Sequence, residues 1–136
     1  AEYKPSNNRS QLTITADNRL VVDAYNANPT SMKAALDNFR LMKAEHKMCI
    51  LGQMGELGDV SDEEHQKVVD ILKESDIETI WLVGENFAKT QHPAEWKVFA
   101  DVEEVKKAIT ANKPKGSLIL IKGSNSNKLV QTVELL

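Results

Sequence analysis

The chain has 136 residues, 41% of them apolar and 27% charged, with a net charge of −3. That size suits one domain able to bury a core, and the slight acid excess argues against a general nucleic-acid binder, because no basic surplus exists to offset phosphates. The single cysteine, Cys49, forbids an internal disulfide, and no apolar run is long enough to span a membrane, so a cytoplasmic setting is expected.

Residues 1–8 are polar and read as an arm or linker; without an initiator methionine or a signal-peptide pattern, they look like a cut end. Gln11 to Thr15 alternates, and Asp17-Asn18 turns the chain into Leu20-Val21-Val22, the pattern of a β-hairpin. Asp23 ends that run and Tyr25-Asn26-Ala27-Asn28 makes a polar loop. Pro29 then opens a helix for which Asn28 is the predicted N-cap. Met32, Ala35, Leu36 and Phe39 fall on one face of this helix. His46 and Lys47 are assigned to its C-terminal end, where cations complement the carbonyls.

Met48-Cys49-Ile50-Leu51 predicts a second strand, followed by the glycine-rich run from Gly52 to Gly58. Ser61 and Glu64 spell a capping box for a helix carrying Val68, Val69, Ile71 and Leu72. Ile80 to Val83 is a third strand stopped by Gly84; a short helix over residues 86–90 and a short strand over 96–99 follow. Asp101 and Glu104 repeat the capping pattern before a helix with Val102, Val105 and Ile109 inward. Pro114-Lys115-Gly116 turns the chain into Leu118 to Ile121, the most apolar strand. Leu129, Val130 and Val133 mark a last helix.

Apolar strands alternating with helices call for a mostly parallel sheet covered on both faces. The expected fold is therefore α/β: a Rossmann-like doubly wound sheet over residues 1–136, with the N-terminal β-hairpin supplying an antiparallel edge strand. Loops that follow the strands of such a sheet gather at one edge, so DAYNANP, GQMGELG and KGSNS are expected to face one ligand.

The chemistry available there is that of binding. Asp23 could accept hydrogen bonds from ribose hydroxyls, Tyr25 could pack on a base or sugar, and Asn26 and Asn28 both donate and accept. Lys122 could meet a phosphate or carboxylate, while Gly123, Ser124 and Ser126 let N–H and hydroxyl groups approach an anion. Glu56 could hold an ammonium. The plainer alternatives are a solvated strand-end charge for Lys122, a helix cap for the serines and an exposed loop acid for Glu56. There is no G-x-x-x-x-G-K-[ST] or G-x-G-x-x-G motif, no Cys/His spacing for zinc and no argument for a Ser-His-Asp triad. Cys49 reads as a buried thiol and His65 as structural.

NNRSQ at 7–11, VVDAYNANPTSM at 21–32, ILGQMGELG at 50–58 and LIKGSNS at 120–126 together resemble the C-terminal domain of a Mur ligase, in order along essentially the whole chain. DAYNANP-x-S-M points within that family to the branch that adds D-alanyl-D-alanine to a UDP-N-acetylmuramoyl tripeptide. Gln53 departs from the pattern, standing where the family often has an acid. The resemblance implies partner domains preceding this one: a central ATPase domain, holding most of the ATP and Mg2+, and an N-terminal domain for the UDP-sugar. It implies amide ligation through an acyl phosphate in peptidoglycan synthesis, with this domain closing over ATP and no turnover by the domain alone. It places Arg9, Asp23, Tyr25, Asn26 and Asn28 toward the nucleotide. Ser124, Asn125 and Ser126 fall near the dipeptide carboxylate and Glu56 near the incoming amino substrate. A stand-alone Rossmann-like ligand-binding or receiver-like module is the alternative, although only one acid stands at a strand end; a structural adaptor would instead scatter the three loops.

Overall fold

In the computed structural model, which describes residues 11–136, the apolar runs become the strands of one six-stranded sheet. Strands β1 (Gln11–Ile14) and β2 (Arg19–Asp23) form the antiparallel hairpin, with Gln11 opposite Val22 and Ile14 opposite Arg19. The other strands, β3 (Lys47–Gly52), β4 (Thr79–Val83), β5 (Lys97–Phe99) and β6 (Leu118–Lys122), run parallel to β2. Their order across the sheet is β1-β2-β6-β3-β4-β5. The last strand thus returns to the middle, between β2 and β3, and every residue of β6 is buried.

Side chains alternate across each strand, so each feeds two cores. Helices α1 (Pro29–Leu41), α2 (Ser61–Lys73) and α3 (Glu85–Ala88) cover one face, setting Met32, Leu36, Phe39, Val69, Leu72 and Phe87 on Val21, Cys49, Leu51, Leu82 and Leu120. Helix α4 (Val102–Ala111) and the C-terminal 3₁₀ segment Leu129–Leu135 cover the other, with Val105, Ile109 and Leu129 on Leu20, Ile50, Trp81, Ile119 and Ile121. Each large side chain removed from water in this way contributes roughly 1.5–3 kcal/mol. The doubly wound sheet with its antiparallel edge is the expected fold.

Capping follows the sequence in two helices and departs from it in a third. Asn28 Oδ1 accepts from the Ser31 N–H at 2.8 Å, and Ser31 Oγ accepts from the Asn28 N–H at 3.0 Å, a reciprocal box around the start of α1. Asp101 Oδ1 accepts from the Glu104 N–H at 3.1 Å, starting α4. The capping box expected from Ser61 and Glu64 does not form. A 3₁₀ turn, Gly58–Val60, runs straight into α2, the cap residue Val60 offers no side-chain acceptor, and Ser61 lies inside the first turn. Asp62, Glu63 and Glu64 instead place acids beside the positive end of the helix.

Two further expectations are corrected. Lys47 is the first residue of β3 and is buried, not at the end of α1. From there its Nζ still donates to the terminal carbonyls of α1, Phe39 at 2.8 Å and Met42 at 2.9 Å, so the cation serves the helix from a neighbouring strand. His46 faces Glu78 instead, Nδ1 to Oε1 at 2.9 Å. The last helix is 3₁₀: three residues per turn bring Leu129 and Thr132 inward and leave Val130 exposed.

Candidate functional site at the carboxyl edge of the sheet

Asp23 ends β2 and Lys122 ends β6, and the register pairs them directly. Both continue the alternation of Val21 and Leu120, so both side chains point to the α1 face. Asp23 Oδ1 lies 3.1 Å from Lys122 Nζ, and the two side chains are 9% and 2% exposed. The ammonium also donates to the Asn26 carbonyl at 2.6 Å. Lys122 is therefore no solvated strand-end charge: two of its donors tie β6 to the loop after β2. Two main-chain bonds reinforce the link, from the Gly123 N–H to the Asp23 carbonyl at 3.3 Å and from the Asn125 N–H to the Tyr25 carbonyl at 3.1 Å.

Above this pair opens a cleft of about 770 Å³ between the loop and the first turns of α1. Asp23, Tyr25, Asn26, Asn28 and Lys122 line it, all anticipated, together with Thr30 and Asn38 of α1, which were not. Thr30, Ala34 and Asn38 recur every four residues, a stripe of small and polar residues beside the apolar face that was legible at helical spacing. Tyr25 is 58% exposed at the mouth. An acid, paired amides, a helix N-terminus and an open aromatic ring can together hold a flat, polar ligand with hydroxyl groups.

The loop after β3 is clamped at its base. The Gln53 N–H donates to the Val83 carbonyl at 2.9 Å, and Gln53 Oε1 accepts from the Asn86 N–H at 2.8 Å. An acid at this position would supply the same oxygen, so the departure at Gln53 preserves the bond. The Met54 N–H donates to His65 Nε2 at 2.9 Å, the Met54 side chain is buried, and the exposed tip carries Glu56 at φ 59°.

The loop after β6 folds on Asn127, whose Oδ1 accepts from the Ser124 N–H at 2.8 Å and from Ser124 Oγ at 3.1 Å. Ser124 Oγ and Ser126 Oγ are 2.8 Å apart. The Asn127 side chain occupies the space a Cβ on Gly52 would need, so the two loops interlock and any larger residue at position 52 must displace Asn127.

Glu56, Ser124, Asn125 and Ser126 do not line the cleft; they stand on the loops beside it, at the same sheet edge. Arg9 lies outside the described residues. Sequence reasoning assigns no functional role to Gln53, His65 or Asn127; Gln53 stands out only as a departure from the family pattern, and Asn127 through a Ser-x-x-Asn cap pattern. Burial pushes the Cys49 thiol well above its ordinary value, as a buried structural cysteine requires, and holds His65 below the ordinary histidine value. Among the described residues no group of three or more His, Cys, Asp or Glu side chains could hold a metal ion, and no helix is long and apolar enough to cross a membrane.

Sheet order and edge cleft define the class, a Rossmann-like α/β domain with a polar site at the carboxyl ends of its strands. Residues 8–125 match the family described as Mur ligase, glutamate ligase domain, and the chain belongs to that family. It is 32% identical over 140 residues to the UDP-N-acetylmuramoyl-tripeptide–D-alanyl-D-alanine ligase of Treponema pallidum, covering 98% of this chain and 30% of that protein. The enzyme of the same name from Rickettsia prowazekii is 33% identical, covering 98% of this chain and 31% of that protein. The chain thus spans about 30% of the length of these curated relatives. Among solved structures, the MurF ligase of Thermotoga maritima in complex with ADP superposes with a TM-score of 0.76 at 20% identity, over 94% of this chain and 30% of that one. At that identity the likeness establishes the fold.

Proposed function

We propose that this chain is the C-terminal domain of an ATP-dependent ligase that adds D-alanyl-D-alanine to UDP-N-acetylmuramoyl tripeptide. It closes over a nucleotide held on a central domain and helps form the amino-substrate pocket. The observation that carries this reading is the convergence of the three post-strand loops at one edge, around the Asp23–Lys122 pair, in a chain that relatives of that name match nearly end to end.

In this reading the peptide carboxylate takes the γ-phosphoryl group of ATP, held with Mg2+ mainly by the central domain. The dipeptide amine then attacks the acyl phosphate, and amide, ADP and phosphate result. Asp23 accepts from the ribose hydroxyls, Tyr25 packs on the nucleoside, Asn26 and Asn28 complete the cleft, and Arg9 reaches the nucleotide on closure. Lys122 neutralises Asp23, orders the loop and keeps one N–H for a ligand anion. Ser124, Asn125 and Ser126 face the dipeptide carboxylate and Glu56 its ammonium. Closure excludes water from the hydrolysable acyl phosphate. No residue of this chain is assigned as general base.

The test is product analysis with the full-length protein. Pentapeptide and phosphate should form only when ATP, the UDP-tripeptide and D-alanyl-D-alanine are all present, and the 136-residue chain alone should release no phosphate. Ligation of a single free amino acid in place of the dipeptide would overturn the branch assignment. Robust ATPase activity of the short chain would overturn the domain assignment.

A further inference from the structure

His65 is buried completely on α2, yet both ring nitrogens meet polar backbone groups. Nε2 lies 2.9 Å from the Met54 amide nitrogen, which can only donate, so Nε2 carries the lone pair. Nδ1 then bears the proton and donates to the Ser61 carbonyl at 2.7 Å. Phe87 from α3 closes on the ring edge-to-face, centroids 4.8 Å apart. Two backbone partners therefore select one neutral tautomer.

What this imidazole holds is the amide two residues before Glu56. Glu56 sits in the left-handed region, a conformation that costs a non-glycine residue free energy and persists only where its surroundings impose it. Behind the tip, side chains from this loop and from α2 make the two cross-element bonds: Gln53 to the Asn86 amide, and His65 to the Met54 amide. We infer that His65 is a positioning residue for the loop after β3, fixing the Met54 amide and so presenting Glu56 to the amino substrate at the sheet edge. This deepens the proposed ligase reading and rests on it.

Protonation of Nε2 would set one N–H against another and release the loop. The charged groups around the ring are Asp62 and Glu64 on α2 and Lys89 just after α3; burial outweighs the acids and keeps the ring neutral at pH 7. The loop is therefore clamped at neutral pH and loosened in acid.

The experiment uses the full-length ligase as wild type, H65N and H65Q. Asparagine is too short to reach Met54, whereas glutamine can place Oε1 near the position of Nε2. H65N is expected to raise KM for D-alanyl-D-alanine at least fivefold at pH 8, with KM for ATP within twofold of wild type. Deuterium uptake in the peptide spanning residues 52–58 should rise in H65N, and H65Q should restore both readings. If H65N does not fold, wild type against H65Q decides: the dipeptide KM should climb in wild type as pH falls below the ordinary histidine value and stay flatter in H65Q. An unchanged dipeptide KM in folded H65N, equal rises in both KM values, or coincident pH profiles would overturn the inference. Absence of D-alanyl-D-alanine ligation by wild type would instead overturn the ligase reading, and this inference with it.

Discussion

Asp23 and Lys122 show what one pair of residues does for the site. Each charge is shielded from water and stabilised by the other, and the lysine also gathers in the Asn26 carbonyl. Lys122→Met should destabilise the fold by about 3 kcal/mol in urea titration, because it leaves the Asp23 carboxylate buried and unpaired. Adding Asp23→Asn should recover most of that loss, since no lone charge then remains. A Lys122→Met variant as stable as wild type would show that the pair is not desolvated as described. Cys49 offers a second measurement at this scale: with its thiol held protonated by burial, a thiolate-directed reagent should label it only after unfolding. Asp23 and Lys122 were each legible as candidates from their places at strand ends. Their pairing was not, since nothing local indicates which strands become neighbours.

At the scale of the element, the start of α1 is the cleft wall, so its cap matters twice. Asn28→Ala removes the acceptor for the Ser31 N–H and should cost about 1 kcal/mol of stability, read as a lower denaturation midpoint. The same change should weaken nucleotide binding if that turn lines the nucleotide site. Gly52→Ala tests the interlock of the second and third loops: the methyl group must displace the Asn127 side chain and free the Ser124 amide. Faster deuterium exchange over residues 123–127 is the expected readout. Where sequence and structure part at this scale, the reason is geometric. The C-terminal segment carries apolar residues that fit an α-helical spacing, but the 3₁₀ winding selects every third residue and turns Val130 outward. At Ser61 a preceding 3₁₀ turn occupies the place an N-cap would need.

For the molecule as a whole, acid should loosen what the sheet order assembles. His65 has a folded-state value below its unfolded one, so the unfolded chain binds the extra proton first. Its contribution is fully present above the ordinary histidine value of about 6.5 and is lost as pH falls below it. His46 is shifted the other way by Glu78, so its smaller contribution is present below that value and fades as pH rises; the pair is solvent-exposed and screened. The denaturation midpoint should therefore fall between pH 7.5 and 5.5, and the fall should shrink in H65Q. A fall of the same size in H65Q would contradict the assignment of this loss to His65.

The amino-acid sequence by itself determined the alternation of strands and helices, which faces are buried, the antiparallel edge and the family resemblance. All of these are written in local spacing, as periods of two and about 3.6 residues and in short contiguous motifs. Tertiary structure alone decided that β6 returns between β2 and β3. That return makes Asp23 and Lys122 a pair, puts the three loops side by side, and leaves Asn127 against Gly52. It was also the fold that turned His65 from one residue on a helix into the clamp of a loop eleven positions away. Such partners depend on which distant segments pack together, and that is settled by burial over the whole chain, with no trace in the spacing of either segment.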